Sequence, residues 1–472
     1  MQPAPQDAIY RPAPRILDLA SWIGDPVAPA DFPETKLRFR NQRAATEVGL
    51  AGLSDAEWIS HMGRFTPLEG NLPQPLALRY HGHQFQVYNP DLGDGRGFLY
   101  AQLLDDRGRL MDLGTKGSGQ TPWSRQGDGR LTLKGAMREI LATEMLGALG
   151  VNTSRTFSVI ETGEALWRGD EPSPTRSAVM VRLSHGHIRM GTFQRLATLG
   201  EADNMAALVG YCLGNFPGPA GPGGDKERPA GPEGASPAAR LLHQVVERMA
   251  DMAASYIVAG FVHGVLNTDN MNVTGESFDY GPWRWLPRWD PAFTAAYFDS
   301  SGLYAFGRQV QAIHWNCGQL AVALRTLEEA PPLIAALNTF EEHYHAAMAR
   351  RWCWRLGVIP RGIAEDTALI GQCEQAMAES GEGPDAFFFR HRGGRGHASG
   401  ALSEALAAYE PVADTHPYWD DPAPQSMLIE EVEAIWAPIA EGDDWSLLEA
   451  KIAALRRMGE AHGAPPPPAG HG

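Results

Sequence analysis

The order of apolar and polar positions divides the chain into a first part of short apolar runs and a second part with helical spacing. Over residues 76–104 the apolar runs are broken by glycine. There Gly93-Asp94-Gly95-Arg96-Gly97 leads into Phe98-Leu99-Tyr100-Ala101-Gln102-Leu103-Leu104, which predicts a strand, a glycine-rich turn and a second strand. Asp105-Asp106-Arg107-Gly108 marks a turn, and residues 110–116 read as the next strand, ending on Lys116. Residues 133–149 place apolar side chains at 133, 137, 140, 141, 145 and 149, the spacing of a helix, with Thr132 as its N-cap and Gly150 as its stop. Glu139 lies on that helix among Gly135, Ala136, Ala142 and Thr143, small neighbours that let this face approach a sheet closely. Residues 155–161 and 177–183 read as strands, so the first part is expected to be a mostly antiparallel sheet with one marked helix.

Beyond residue 236 the spacing is helical. Leu241, Leu242, Val245, Val246, Met249, Met252, Ala253, Tyr256 and Ile257 define a strong amphipathic helix, and more helices follow from about residue 310. The stretch 217–236 is too rich in Pro and Gly for regular structure and is expected to be a surface loop. The expected organisation is an N-terminal extension wrapping the core (1–75), a sheet-rich lobe (76–205), a helical lobe containing the 217–236 loop (206–350), a C-terminal helical extension (351–460) and a disordered tail (461–472). No internal repeat is seen.

Composition narrows the function classes. The 472 residues are 43% hydrophobic and 20% charged, ordinary globular usage with enough chain for a large core. The formal net charge of −16 argues against a nucleic-acid or acidic-membrane partner, so any anionic ligand must be met by a local basic cluster. Four cysteines, Cys212, Cys317, Cys353 and Cys373, form no CxxC pair, which fits a reducing compartment. With no signal-peptide pattern and no spanning apolar run, a cytoplasmic location is expected.

The chemistry is carried by an ordered set of residues. A sheet lobe with a glycine-rich turn, a lysine on the next strand, a glutamate on the following helix and then a helical lobe is the layout of protein kinases. Glycine-turn amides approach phosphates, a lysine neutralises them, and a glutamate holds the lysine by an ion pair. The kinase catalytic loop H-R-D-L-x-x-x-N is matched by His263-Gly264-Val265-Leu266-Asn267-Thr268-Asp269-Asn270, which keeps the His, the Leu and the metal-binding Asn. Val265 stands where the base aspartate belongs and cannot accept a proton. Asp279-Tyr280-Gly281 follows in the manner of D-F-G, and Asp269 offers a carboxylate four residues after Val265.

With these motifs the chain resembles the selenoprotein O family, kinase-like proteins that transfer AMP from ATP to protein hydroxyls. The resemblance covers residues from about 80 to 309. It is carried by His83-Gln84-Phe85, Leu92-Gly93-Asp94-Gly95-Arg96-Gly97, Lys116-Gly117-Ser118-Gly119, Arg125-Gln126-Gly127-Asp128-Gly129 and the 263–271 stretch. It implies an α+β, bilobal, protein-kinase-like fold with extra N- and C-terminal segments, and ATP bound in a flipped orientation with attack at the α phosphate. It also implies that Gly93, Gly95 and Arg96 contact phosphate from the glycine loop, that Lys116 pairs with Glu139, and that Asp128 and Gly129 belong to a nucleotide-contacting loop. Arg182 and Arg189 would engage phosphates, Asn270 and Asp279 would hold Mg2+ or Mn2+, and Asp269 would accept the proton. The partners implied are proteins bearing Ser, Thr or Tyr hydroxyls, with UTP an alternative donor to ATP. The chain departs from the family at His81 and Gln86, where Ser and Gly are expected, and its last cysteine is Cys373, so no redox role through a terminal thiol is expected.

Three other readings stand beside this one. The set also suits an ordinary ATP-dependent phosphotransferase, and Val265 would suit a non-catalytic nucleotide-binding scaffold. The triplets His81 to His83 and His185 to His187 could place histidine pairs on one side of a strand for a metal-dependent hydrolase. Trp283, Trp285, Trp289 and Tyr297 are expected to be core or loop packing.

Overall fold

The computed structural model describes residues 8–217, 231–395 and 400–465. Most of the expected 217–236 loop, and the expected tail beyond residue 465, lie outside them. Among the described residues the principal sheet has eight strands. They are β1 (Gly24–Pro26), β2 (Lys36–Arg40) and β3 (Leu76–Leu78), then, past a separate hairpin of β4 (Gly82–Gln84) and β5 (Val87–Asn89), β6 (Leu99–Leu104), β7 (Leu110–Lys116), β8 (Leu131–Thr132), β9 (Arg155–Leu166) and β10 (Thr175–Ser184). The order is β1-β3-β6-β7-β10-β9-β2, with β8 on β10, and every pairing is antiparallel. Strands β7 and β10 run through the middle, which is why β7 is buried at all seven positions.

The first 75 residues do more than wrap. They supply β1 at one edge of the sheet and β2 at the other, so both lines of free backbone groups find partners. Their anchor is Trp58 on the helix Asp55–Met62, which starts from a capping box between Ser54 and Glu57. The Trp58 ring stacks on Phe157 of β9 at 4.9 Å, its Nε1 donates to Ser158 Oγ at 2.9 Å, and the Arg40 guanidinium lies 4.4 Å from its centre.

The glycine-rich stretch is not the turn of a simple hairpin. The β4–β5 hairpin interrupts the chain after β3, and Gly93 returns to bridge Arg79 before β6 begins. The two-residue turn of that hairpin uses Phe85 and Gln86 with φ of 50° and 63°, left-handed values that favour glycine. Gln86 thus occupies the position where the family resemblance expected Gly.

The helix Leu133–Ala148 forms as the spacing requires, with Thr132 Oγ1 accepting from the Gly135 amide at 3.1 Å and Gly150 turning the chain at φ 71°. One side packs on β9 and β10, the other on the last helix, Ser446–His462, where Arg456 pairs with Glu144. Ala461 and His462, assigned to a disordered tail by composition, belong to that helix because its apolar side is still covered there.

In the helical part, Pro237–Ala259 is buried along most of its length, capped by Ser236 and flanked by Gln309–Leu324 and Phe340–Leu356. A two-stranded ribbon, Phe261–Val262 with Arg284–Trp285, follows its end. Trp283 and Trp285 are buried, but Tyr297 is 91% exposed, against the packing expected for it, because it sits in an irregular segment with its ring edge-on to Phe298. Among the described residues no helix is long and apolar enough to cross a membrane.

Trp58→Ala should destabilise the protein by about 3–5 kcal/mol, read from urea unfolding, and speed proteolysis of the first 75 residues in the native state. An unchanged midpoint would mean that this anchor does not hold the segment.

Candidate active site

The site begins at the end of β7. Side chains alternate along a strand, so Asp112, Gly114 and Lys116 share one face, and Arg182 of β10, directly opposite Gly114, joins them. Lys116 and Glu139, both buried, form an ion pair, and Lys116 Nζ lies 3.2 Å from Asp279 Oδ1. Arg182 donates to Asp279 Oδ1 and Arg189 to Oδ2, each at 3.1 Å. Burial acts to raise the pKa of Asp279. The charges of Lys116, Arg182, Arg189 and Arg96 overcome it and hold the carboxyl well below the usual carboxylate range. The backbone of Asp279 is left-handed, φ 64°, a costly conformation for a non-glycine residue that the three ion pairs maintain.

The loop carrying Asp269 is fixed from several sides. Neutral His263 spans it, accepting from the Val265 amide at 3.4 Å and donating from Nε2 to Phe278 O at 3.0 Å. Asn267 Oδ1 accepts from the Phe85 amide at 3.0 Å and Thr268 Oγ1 from the His83 amide at 2.7 Å, so the β4–β5 hairpin is clamped to the loop. Arg189 donates to the Asp269 carbonyl at 2.6 Å. Asp269 Oδ1 is buried without a hydrogen-bond partner, and burial pushes this carboxyl up to about 6. Asp269 lines the cleft, and a carboxyl raised toward neutral pH there suits proton abstraction from a ligand.

Gly93 and Gly95 are glycines for a reason the sequence did not carry. A Cβ on Gly93 would stand 2.3 Å from the Trp123 ring, and one on Gly95 2.8 Å from the Trp123 carbonyl. The glycine loop and the segment that carries Trp123, Asp128 and Gly129 are pressed together, and Trp123 Nε1 is tied to Asp25 at 2.9 Å. Asp128 pairs with Arg168 at 2.9 Å, and Gly129 has φ 69° with no room for a side chain beside Gly119.

These parts enclose a cleft of about 750 Å³. Gly93, Gly95, Arg96, Lys116, Asp128, Gly129, Arg182, Arg189, Asp269, Asn270 and Asp279 line it, and Glu139 stands behind Lys116. Three residues the sequence reading passed over complete the cationic wall. Asp94 pairs with Arg189 at 3.4 Å, and the Arg189 guanidinium lies 4.6 Å from the Tyr80 ring and 4.7 Å from that of Phe278. Asp94 sat inside the glycine-rich motif and was open to notice; Tyr80 and Phe278 had no local signal.

The profile of the family described as protein adenylyltransferase SelO matches residues 9–401. The chain belongs to the SelO family. Among relatives of this SelO-family chain, the protein nucleotidyltransferase YdiU of Synechococcus elongatus is 42% identical, covering 96% of this chain and 95% of that protein. The protein of the same name from Synechocystis sp. is 41% identical, covering 92% and 95%. A solved structure, ROP2 from Toxoplasma gondii, described as a virulence factor with a protein-kinase fold and no enzymatic activity, aligns at 10% identity with a TM-score of 0.29, covering 68% of this chain and 90% of that one. An overlap that loose bears on nothing below.

The His-Gly-His triplets of this SelO-family chain do not build a metal centre. His81 bonds to the Tyr88 hydroxyl at 2.6 Å, His83 to Gln194 at 2.7 Å, and His185 to Leu110 O at 2.8 Å, while His187 lies between Asp112 and Arg182. Among the described residues no three His, Cys, Asp or Glu side chains gather as a metal site, which removes the support for a hydrolase. A divalent cation shared with phosphates needs less. Asp279 is ionised, and Asn270 donates its Nδ2 to Val265 O at 3.0 Å, leaving its Oδ1 as an oxygen donor. Two protein oxygens plus phosphate and water suit a hard divalent cation.

Behind the site, Glu276 is fully buried and accepts from the His185 amide at 2.9 Å; burial pushes its carboxyl up from 4.5 to about 7. Between those values the native state holds a proton that the unfolded chain has released, so stability falls as pH rises across the window. Glu276→Gln keeps the acceptor and removes the titration. The drop in urea midpoint between about pH 5 and pH 8 should therefore shrink in the variant, and equal slopes would show that another group titrates.

Proposed function

We propose that this chain transfers AMP from ATP to Ser, Thr or Tyr hydroxyls of target proteins and releases pyrophosphate. The observation that carries the reading is a complete cationic cradle around Asp279 beside a loop whose ordinary base position is Val265 and whose buried, unpartnered carboxylate is Asp269. Family membership supports the same reaction class.

Lys116, Arg182 and Arg189 share Asp279 and are the groups that meet the triphosphate, with Glu139 keeping Lys116 in place. Asp279 and Asn270 would hold the divalent cation, which supplies charge neutralisation at the phosphates. Asp269 takes the proton of the incoming hydroxyl as its oxygen bonds to the α phosphorus. The bond from that phosphorus to the bridging oxygen breaks, and its electron pair leaves with pyrophosphate. The four cysteines take no part: all are buried and free, and burial raises each thiol pKa, keeping them unreactive.

The test is incubation of the purified protein, with magnesium and a cell lysate as protein source, with ATP radiolabelled at either the α or the γ phosphate. Label from the α position alone is expected. Label from the γ position alone would restore an ordinary phosphotransferase, and label from neither would leave a nucleotide-binding scaffold. Asp269→Ala should slow transfer by about 10²–10⁴-fold with ATP affinity little changed in calorimetry, and Asp279→Ala should abolish transfer. A wild-type rate for Asp269→Ala would remove it as the base.

A further inference from the structure

Gly114 lies inside β7, a strand buried on both faces, where glycine is unfavourable because it leaves a gap and a freer backbone. Its side-chain space is already taken. A Cβ there would stand 2.3 Å from Nε2 of His187 and 2.6 Å from its Cε1, so the imidazole lies flat on the strand at the one position that faces Arg182 across the sheet.

The ring is held in one protonation pattern. Arg182 Nε can only donate, and it does so to His187 Nε2 at 3.1 Å, which puts the imidazole proton on Nδ1. That proton faces Asp112 Oδ2 at 3.4 Å. Asp112 is held in turn by Gln102 Nε2 at 2.7 Å, and Gln102 also bonds the Tyr211 hydroxyl at 3.0 Å. Gln102, Asp112, His187 and Arg182 are all buried, and of the four only Arg182 lines the cleft. The chain of bonds therefore ends on the guanidinium, whose Nη1 reaches Asp279.

We propose that His187 is a positioning residue for the transfer reaction, fixing Arg182 through Nε so that its remaining donors point at the triphosphate. This rests on the reading of Arg182 as a triphosphate ligand. An arginine side chain has many rotamers, and a site whose charged group is locked by a buried partner loses less on engaging a ligand than one whose group must first be ordered. The glycine at 114 is the cost the sheet bears to admit the ring.

The experiment is a double-mutant cycle on α-label transfer, with His187→Leu, His187→Gln and Arg182→Ala. His187→Leu should keep a cooperative melt and lower kcat/KM for ATP by about 10- to 100-fold, the range for a lost hydrogen bond to a charged group. His187→Gln, whose Oε1 can replace the Nε2 acceptor, should recover most of that loss. In the Arg182→Ala background His187→Leu should cost nothing further, since its only route to the reaction is gone. Additive losses, or a wild-type rate for folded His187→Leu while Arg182→Ala is impaired, would overturn the proposal. A wild-type rate for Arg182→Ala would instead overturn the reading of Arg182 itself. Should His187→Leu not fold, Gly114→Ala makes the same comparison by pushing the ring off Arg182 without deleting it, with the same expected loss and the same dependence on Arg182.

Discussion

One carboxylate, Asp279, is shared by Lys116, Arg182 and Arg189, and the rest of the molecule is arranged around that sharing. Buried charges are costly unless paired, and removing one partner leaves the others uncompensated. The four residues come from the end of β7, the last part of β10, the segment after β10 and the chain beyond the helix Pro237–Ala259. For them to meet, β7 and β10 must be neighbours, Glu139 must hold Lys116 from the helix above, and the backbone at Asp279 must turn left-handed. Sheet order, helix placement and the left-handed backbone at Asp279 thus together satisfy one electrostatic requirement.

The same requirement explains how an acidic protein can present a site for a polyanion. The net charge of −16 is spread over a surface rich in carboxylates, whereas the cleft concentrates Arg96, Lys116, Arg182 and Arg189. Asp279 holds three of these cations together, so that their mutual repulsion across a low-dielectric space is offset. The aromatic rings of Tyr80 and Phe278 support Arg189 alongside its ion pairs with Asp94 and Asp279.

Much of this was legible in the sequence because it is local. The helix Leu133–Ala148 has its apolar period, cap and stop within twenty residues, and β7 is a short stretch between the turn at 105–108 and its closing lysine. The glycine loop, Lys116 and the residues of 263–281 could be ordered because each lies in a short motif, whereas Arg182 and Arg189 came from the family resemblance alone. What was illegible depends on distant partners. Strands β1 and β2 are short, and their partners β3 and β9 lie far along the chain, so nothing near residues 24 or 36 announces an edge strand. Gly93 and Gly95 read as turn formers, yet the pressure on them comes from Trp123. Tyr297 looked like packing because aromatic residues usually pack, and only the course of the chain leaves it exposed. His187 read as one half of a metal-like pair, and its partners Arg182 and Asp112 become neighbours only when the sheet forms.

Asp269, proposed as the base where Val265 cannot serve, has its own structural support. A carboxylate at 269 must be buried and still face the cleft, which needs a neighbour without bulk and a loop that does not yield. Gly82 is that neighbour: a Cβ there would come within 3.1 Å of Asp269 Oδ1. The loop is kept from yielding by Asn267 and Thr268, the two residues just before Asp269, whose side chains grip the backbone of the hairpin that Gly82 begins. The β4–β5 hairpin, inserted between β3 and the glycine loop, therefore makes room for the carboxylate and holds its loop. The carboxylate proposed as the base and the β4–β5 hairpin are thus packed as one unit, joined through Gly82, Asn267 and Thr268.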